Sequence, residues 1–161
     1  MPSCTLLKED IELFNKIYAK VKSNFQDLYY KLPRQAIHRD MHGENIIFKD
    51  EKIVGYIDFD LSQINARIYD ICYLCTGSLS TIFNDIDKRD NWIGFAENVI
   101  KGYDSISNLT DEERHSIKYM FYLIELIMVA YFSQNNCSDI ANMNIKMINW
   151  ISLVWNNYKV Q

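Results

Sequence analysis

A mainly α fold carrying one small β-hairpin is predicted by three observations. Apolar residues recur at steps of three and four over most of the chain. Residues 45 to 59 break that rhythm with two short runs of Ile, Val, Tyr and Phe around a polar turn. Hydrophobic residues make up 48% and aromatics 14% of 161 residues, which suits one packed domain, 1–161, and is too short for two of ordinary size.

The elements follow in order. Leu7, Ile11, Phe14, Tyr18, Val21, Phe25 and Leu28 form one face of a long helix over residues 5 to 31, stopped by Pro33. "NIIF", "KDEK" and "IVGYIDF" then read as strand, four-residue turn and strand. After Leu61 the pattern is helical throughout. "ARIYDICYLCTGSL" is one segment, and Trp92, Phe95, Ala96, Val99, Ile100 and Tyr103 mark the next. Thr110 with Glu113 forms a capping box that opens a third helix, apolar on nearly every side and therefore central. Ser138 is placed to cap a fourth, with Met147, Ile148, Ile151, Val154, Trp155 and Tyr158 as its inner face.

Composition narrows the function. A net charge of −4 and a pI near 5.3 argue against a nucleic-acid binder, which needs a basic surface. The same surface suits a cationic substrate, although many soluble domains share it. No basic segment followed by a long apolar run opens the chain, so a cytoplasmic protein is expected. The most apolar stretch, residues 117 to 132, contains Lys118 and Glu125 and falls short of the ~20 residues a membrane span needs, so it reads as a core helix with no membrane partner. Glu125, its lone acid, is expected at the edge of the buried face, with a grip on a cationic substrate as its second reading. Cys72 and Cys75 form a C-x-x-C without a second Cys/His pair, and their apolar helical setting makes them small core residues.

The polar run "AIHRDMHGENIIF" at 36 to 48 carries the chemistry. Asp40 and Asn45 lie at the start of the hairpin, and Asp58 at the end of its second strand. A hairpin returns the chain to its starting end, so Asn45 and Asp58 should finish as neighbours. Hard oxygen ligands of this kind suit Mg²⁺, which takes one or two carboxylates together with phosphate oxygens. Asp40 is then left to accept a hydroxyl proton, the division of labour that phosphoryl transfer requires.

The ordered elements "HRDMHGENIIF", "GYIDFD" and "RIYDI" resemble the catalytic core of the aminoglycoside phosphotransferase and choline kinase family, which includes homoserine kinase-like enzymes. That family carries H-x-D-x-H-x-x-N, then I-D-F/L, then Y-D-I/L, and the match spans roughly residues 34 to 77. The resemblance implies the C-terminal lobe of a protein-kinase-like (α+β) fold and an ATP-dependent transfer to a hydroxyl of a small molecule, such as an aminoglycoside, amino alcohol or choline-like compound. It implies Asp40 as catalytic base, Asn45 and Asp58 as holders of Mg²⁺ and nucleotide, and Asp70 as an acceptor for the catalytic-loop backbone. His38 is expected to pack beneath the loop, while His42 is divided between packing and contact with phosphate or substrate. Asp60 is a secondary metal candidate.

The chain departs from that pattern in two places. Arg39 stands where the family commonly has Gly. Only 37 residues precede His38, they read as helix, and the five glycines never fall in a G-x-G pattern, so the phosphate-covering loop and its lysine are missing. The expectation is a C-terminal lobe on its own, with apolar surface near the hairpin left to favour self-association. A catalytically inactive remnant or binding module is the alternative reading. Arg67 is expected to be solvated, with Asp70 as its other partner.

Overall fold

The computed structural model describes residues 5–157, and it is mostly helical with two small antiparallel sheets. The chain divides into two compact units, one formed by Lys31–Ile117 and the other by the residues before and after it. Tyr158 and Cys4 lie outside the described residues.

The flanking unit is helical. Helix α1 (Lys8–Asn24) starts where the Leu7 N–H donates to Asp10 Oδ2 at 2.9 Å, and Glu9 and Asp10 place negative charge at its positive end. A short α2 (Gln26–Tyr29) follows a break at Phe25. Helix α6 (Asp111–Gln134) enters this unit from Lys118 onward, and α7 (Ser138–Asn157) completes it. Met120, Phe121 and Ile124 from α6 and Met147, Ile148 and Ile151 from α7 are fully buried, and Phe121 meets Trp155 edge to face at 5.1 Å. Phe25 stacks on Tyr119 at 5.6 Å, and Asn149 Nδ2 donates to the Asp10 carbonyl at 2.9 Å, tying α7 to the start of α1.

Three readings are corrected here. The buried stripe of α1 is Ile17, Val21 and Phe25, whereas Leu7, Ile11 and Tyr18 are exposed. Apolar residues at 17 and 18 are adjacent, so periodicity alone cannot choose between the two faces. Ser138 is the first residue inside α7, and Ile140 and Ala141 donate to the Cys137 carbonyl instead. Glu125 does not sit at an edge: it is 1% exposed, burial pushes its pKa well above the ordinary carboxylate range, and Oε2 has no hydrogen-bond partner among the described residues. Its helix also runs to 24 residues and is, by length and composition alone, long and apolar enough to cross a bilayer. Core helices meet that test too.

The central unit holds both sheets. β2 (Ile46–Lys49) and β3 (Lys52–Tyr56) form the predicted hairpin, and its turn is tighter than expected. Only Asp50 and Glu51 connect the strands, both with positive φ (49° and 61°), the geometry a two-residue turn demands. A second pair, β1 (Arg34–Ile37) with β4 (Gln63–Ala66), overturns the expectation that everything after Leu61 is helical. β1 hands the chain to His38, and β4 takes it back after Asp60, so this sheet pins both ends of the polar segment.

Helices α3 (Tyr69–Ile82), α4 (Ile86–Asp90) and α5 (Trp92–Ser107) complete the unit. Trp92 Nε1 donates to the Cys75 carbonyl at 2.7 Å, joining α5 to α3. Cys72 and Cys75 are fully buried free thiols, and burial raises both, Cys75 to about 12. Thr110 and Glu113 form the predicted capping box, each backbone N–H donating to the other's side chain at 2.9 and 3.2 Å. Arg67 is corrected. It is neither solvated nor paired with Asp70, but grips Glu113 with Nε and Nη2 at 2.7 Å each.

Candidate active site

The site is assembled on the loop between β1 and β2 and on the first turns of α3. Asp70, in the first turn of α3, accepts the His38 N–H at 2.8 Å and the Arg39 N–H at 2.9 Å, one on each carboxylate oxygen. This double anchor holds Arg39 at φ 73°, a left-handed backbone that costs a side-chain-bearing residue and suits glycine. The glycine common at this position in the resembling family thus has a local cause.

His38 is 3% exposed and lies beneath the loop. Its Nε2 meets the Ile57 carbonyl at 2.7 Å, its Nδ1 faces the Asp40 N–H at 3.4 Å, and its ring packs on Phe59 at 4.6 Å. Nδ1 as acceptor makes Nε2 the donor, so the neutral ring satisfies both contacts. His38 therefore links the loop to the segment that carries Asp58.

Asp40, His42 and Asn45 converge. Asn45 Nδ2 donates to the Asp40 carbonyl at 2.9 Å and lies 3.3 Å from Asp40 Oδ2, while His42 Nε2 lies 3.4 Å from the same oxygen. A 3₁₀ turn at Gly43–Asn45 makes this closure, with His42 Nδ1 accepting the Glu44 N–H at 3.3 Å. The bond from Nδ2 fixes the orientation of the Asn45 amide and leaves its Oδ1 without a hydrogen bond among the described residues.

Tyr73 was missed by sequence reasoning. Its hydroxyl donates to Asp40 Oδ1 at 2.8 Å, and burial followed by that bond raises its pKa, so the proton stays on the phenol. One helical turn beyond Asp70, it lies on the same face of α3, and that i, i+3 spacing was the available signal. Asp40 thus has one oxygen held by Tyr73 and the other beside Asn45 and His42.

Asp58 lies two residues beyond β3, not at its end, in a left-handed conformation with φ 62°. The Ile57 N–H donates to the Asn45 carbonyl at 3.1 Å, so the backbone bridge from Asn45 ends one residue before Asp58. Asp58 and Asp60 are both exposed, and neither carboxylate is engaged by another described side chain. Glu125 belongs to the other compact unit. Among the described residues no three His, Cys, Asp or Glu side chains gather closely enough to bind a metal by themselves. The donors present, one free amide oxygen and one free carboxylate, instead fit an ion that completes its shell with phosphate and water.

The model of the phosphotransferase enzyme family matches residues 5–115, more than two-thirds of the chain. The chain is similar to the homoserine kinase of Zymomonas mobilis, 27% identical over 109 residues, which is 67% of this chain and 29% of that protein. It is 35% identical over 86 residues to the homoserine kinase of Gluconacetobacter diazotrophicus, covering 53% of this chain and 25% of the relative. With the homoserine kinase of Beijerinckia indica it shares 34% identity over 82 residues, 51% of this chain and 24% of the relative. The chain thus spans less than a third of the length of the curated relatives it matches. No solved structure gives a significant match.

Proposed function

Because the chain belongs to the phosphotransferase enzyme family, we propose that it is the C-terminal lobe of a cytoplasmic, ATP-dependent kinase acting on the hydroxyl of a small amino alcohol. The observation that carries this reading is the constraint on Asp40: Tyr73 holds one carboxylate oxygen at 2.8 Å, with Asn45 3.3 Å from the other. A carboxylate so fixed is suited to take the proton of an acceptor hydroxyl as its oxygen bonds the γ-phosphorus of ATP and the bond to the β-phosphate breaks, releasing ADP. Asn45 Oδ1 and the Asp58 carboxylate are the groups that would hold Mg²⁺, which when bound neutralises charge on the phosphates. Asp70 and His38 keep the loop and the Asp58 segment in register. The homoserine kinase relatives favour an amino alcohol over an aminoglycoside or a choline-like acceptor.

The metal assignment is testable by calorimetry with ATP. Asp58→Ala and Asn45→Ala should each weaken binding in Mg²⁺ by about tenfold or more, as expected for loss of a charge-assisted contact, while leaving metal-free binding unchanged. Equal loss with and without Mg²⁺ would show that these side chains hold the loop and not an ion.

These 161 residues contain no G-x-G pattern, so a second reading of this segment taken by itself is a binding module without turnover. Assayed alone, the chain should transfer little phosphate. Nine large apolar side chains between Ile47 and Ile64 are 44–65% exposed, among them Phe48, Val54, Tyr56 and Phe59. Apolar exposure of this extent favours association with a second copy. Light scattering across a concentration series should find a dimer, and Phe48→Lys with Val54→Lys should return it to monomer. A wild-type monomer at every concentration contradicts this.

A further inference from the structure

The helical unit carries a half-open groove of about 560 Å³ that involves none of the phosphotransfer residues. Leu13 and Ile17 of α1, Leu153 of α7 and the tyrosines at 119 and 122 of α6 give it apolar and aromatic walls. Lys16, Lys20 and Lys118 also line it, and no carboxylate does. In a chain of net charge −4, three lysines at one groove call for an explanation. None of the three makes an ion pair among the described residues. Lys118 instead lies over the Tyr119 ring, 5.0 Å from its centre.

Tyr122 supplies the second observation. It is 4% exposed as a residue and lines the groove, and its hydroxyl, which has no hydrogen-bond partner among the described residues, is open to that groove. Burial pushes its pKa up to about 12, so it remains a donor at neutral pH. Ser152, also buried against the groove, already gives its proton to the Asn149 carbonyl at 2.7 Å. Among the described residues, the donors left at the groove thus include the Tyr122 phenol, the Asn24 amide and three ammonium groups.

We propose that this groove binds a small organic anion, with a flat apolar body against the tyrosine rings and a carboxylate or phosphate that accepts from Tyr122 and is neutralised by the lysines. The volume is in the range of small-molecule sites. The proposal is independent of the phosphotransfer reading, because it involves different residues in a different unit.

The test is a titration of the 161-residue chain at low ionic strength, followed through its backbone amide resonances. Phenyl phosphate and benzoate should saturate shifts at residues 16–20 and 118–122, whereas benzamide, the neutral counterpart of benzoate, and inorganic phosphate should bind at least tenfold more weakly. Tyr122→Phe should weaken phenyl phosphate binding about tenfold without lowering the melting temperature, since its hydroxyl holds nothing in the free protein. Lys16→Gln with Lys20→Gln should weaken it at least as much. Equal binding of benzamide and benzoate, equal binding of inorganic and phenyl phosphate, shifts confined to residues 40–58, or unchanged affinity in both variants would each overturn the assignment.

Discussion

Asp40→Asn is expected to cut phosphotransfer by at least about a hundredfold, within the ~10²–10⁴ that a positioned general base contributes. The setting is this chain joined to a nucleotide-covering lobe. Asparagine preserves the volume of Asp40 and can still accept from Tyr73, so the loop should keep its shape. It cannot take a proton from the acceptor hydroxyl. ATP affinity should therefore change little while kcat falls. Loss of ATP affinity with kcat intact would assign Asp40 to nucleotide binding, and retained turnover would remove it as the base.

Arg67→Met should be the most damaging single change to stability. Glu113 is 0% exposed, and the Arg67 guanidinium supplies two of its three short hydrogen bonds, both at 2.7 Å. Arg67 also donates to Ser107 Oγ at 3.0 Å and to the Asn108 carbonyl at 2.8 Å, and its own N–H meets the Pro33 carbonyl at 3.0 Å. Removing one partner of a buried pair typically costs ~3–5 kcal/mol, because the other charge stays buried without compensation. Urea denaturation at pH 7 should show that loss, and Arg67→Met with Glu113→Leu should recover part of it. A loss below about 1 kcal/mol would mean water already reaches the carboxylate.

The pair also sets an acid limit. Burial pushes the Glu113 pKa up, but its bonds to Arg67 and the Thr110 N–H outweigh that and leave it below the ordinary 4.5. A carboxyl depressed in the folded state contributes stability that is present above its unfolded pKa and is lost as pH falls through the folded value. The gap between wild type and Arg67→Met should therefore be full at neutral pH and narrow below about pH 4.5.

What could be read from the sequence follows what is local in the chain. The hairpin, the capping box at Thr110 and Glu113, and helices α3, α5, α6 and α7 each announce themselves within a few residues, by alternation, by spacing or by a cap. Strands β1 and β4 do not. Each is four residues long, "RQAI" and "QINA", with too little apolar alternation to register, and they pair across some 30 residues. Likewise Arg67 and Glu113 are 46 positions apart, and no local pattern joins them. At the site, the spacing of Asp40, Asn45 and Asp58 was visible as motif, whereas Tyr73 looked like one more aromatic in an apolar helix. Its role emerges only once Asp70, one turn earlier on α3, is seen to hold the loop.

In the proposed reaction, Asp40 presents its carboxylate to an acceptor hydroxyl during transfer from ATP. Phosphorus NMR of the joined protein with ATP, Mg²⁺ and a panel of amino alcohols that includes homoserine tests it most directly. The expected result is one new phosphomonoester signal, growing in step with ADP and absent from the Asp40→Asn protein. Release of ADP and inorganic phosphate with no phosphomonoester from any member of the panel, or equal transfer by the Asp40→Asn protein, would contradict it.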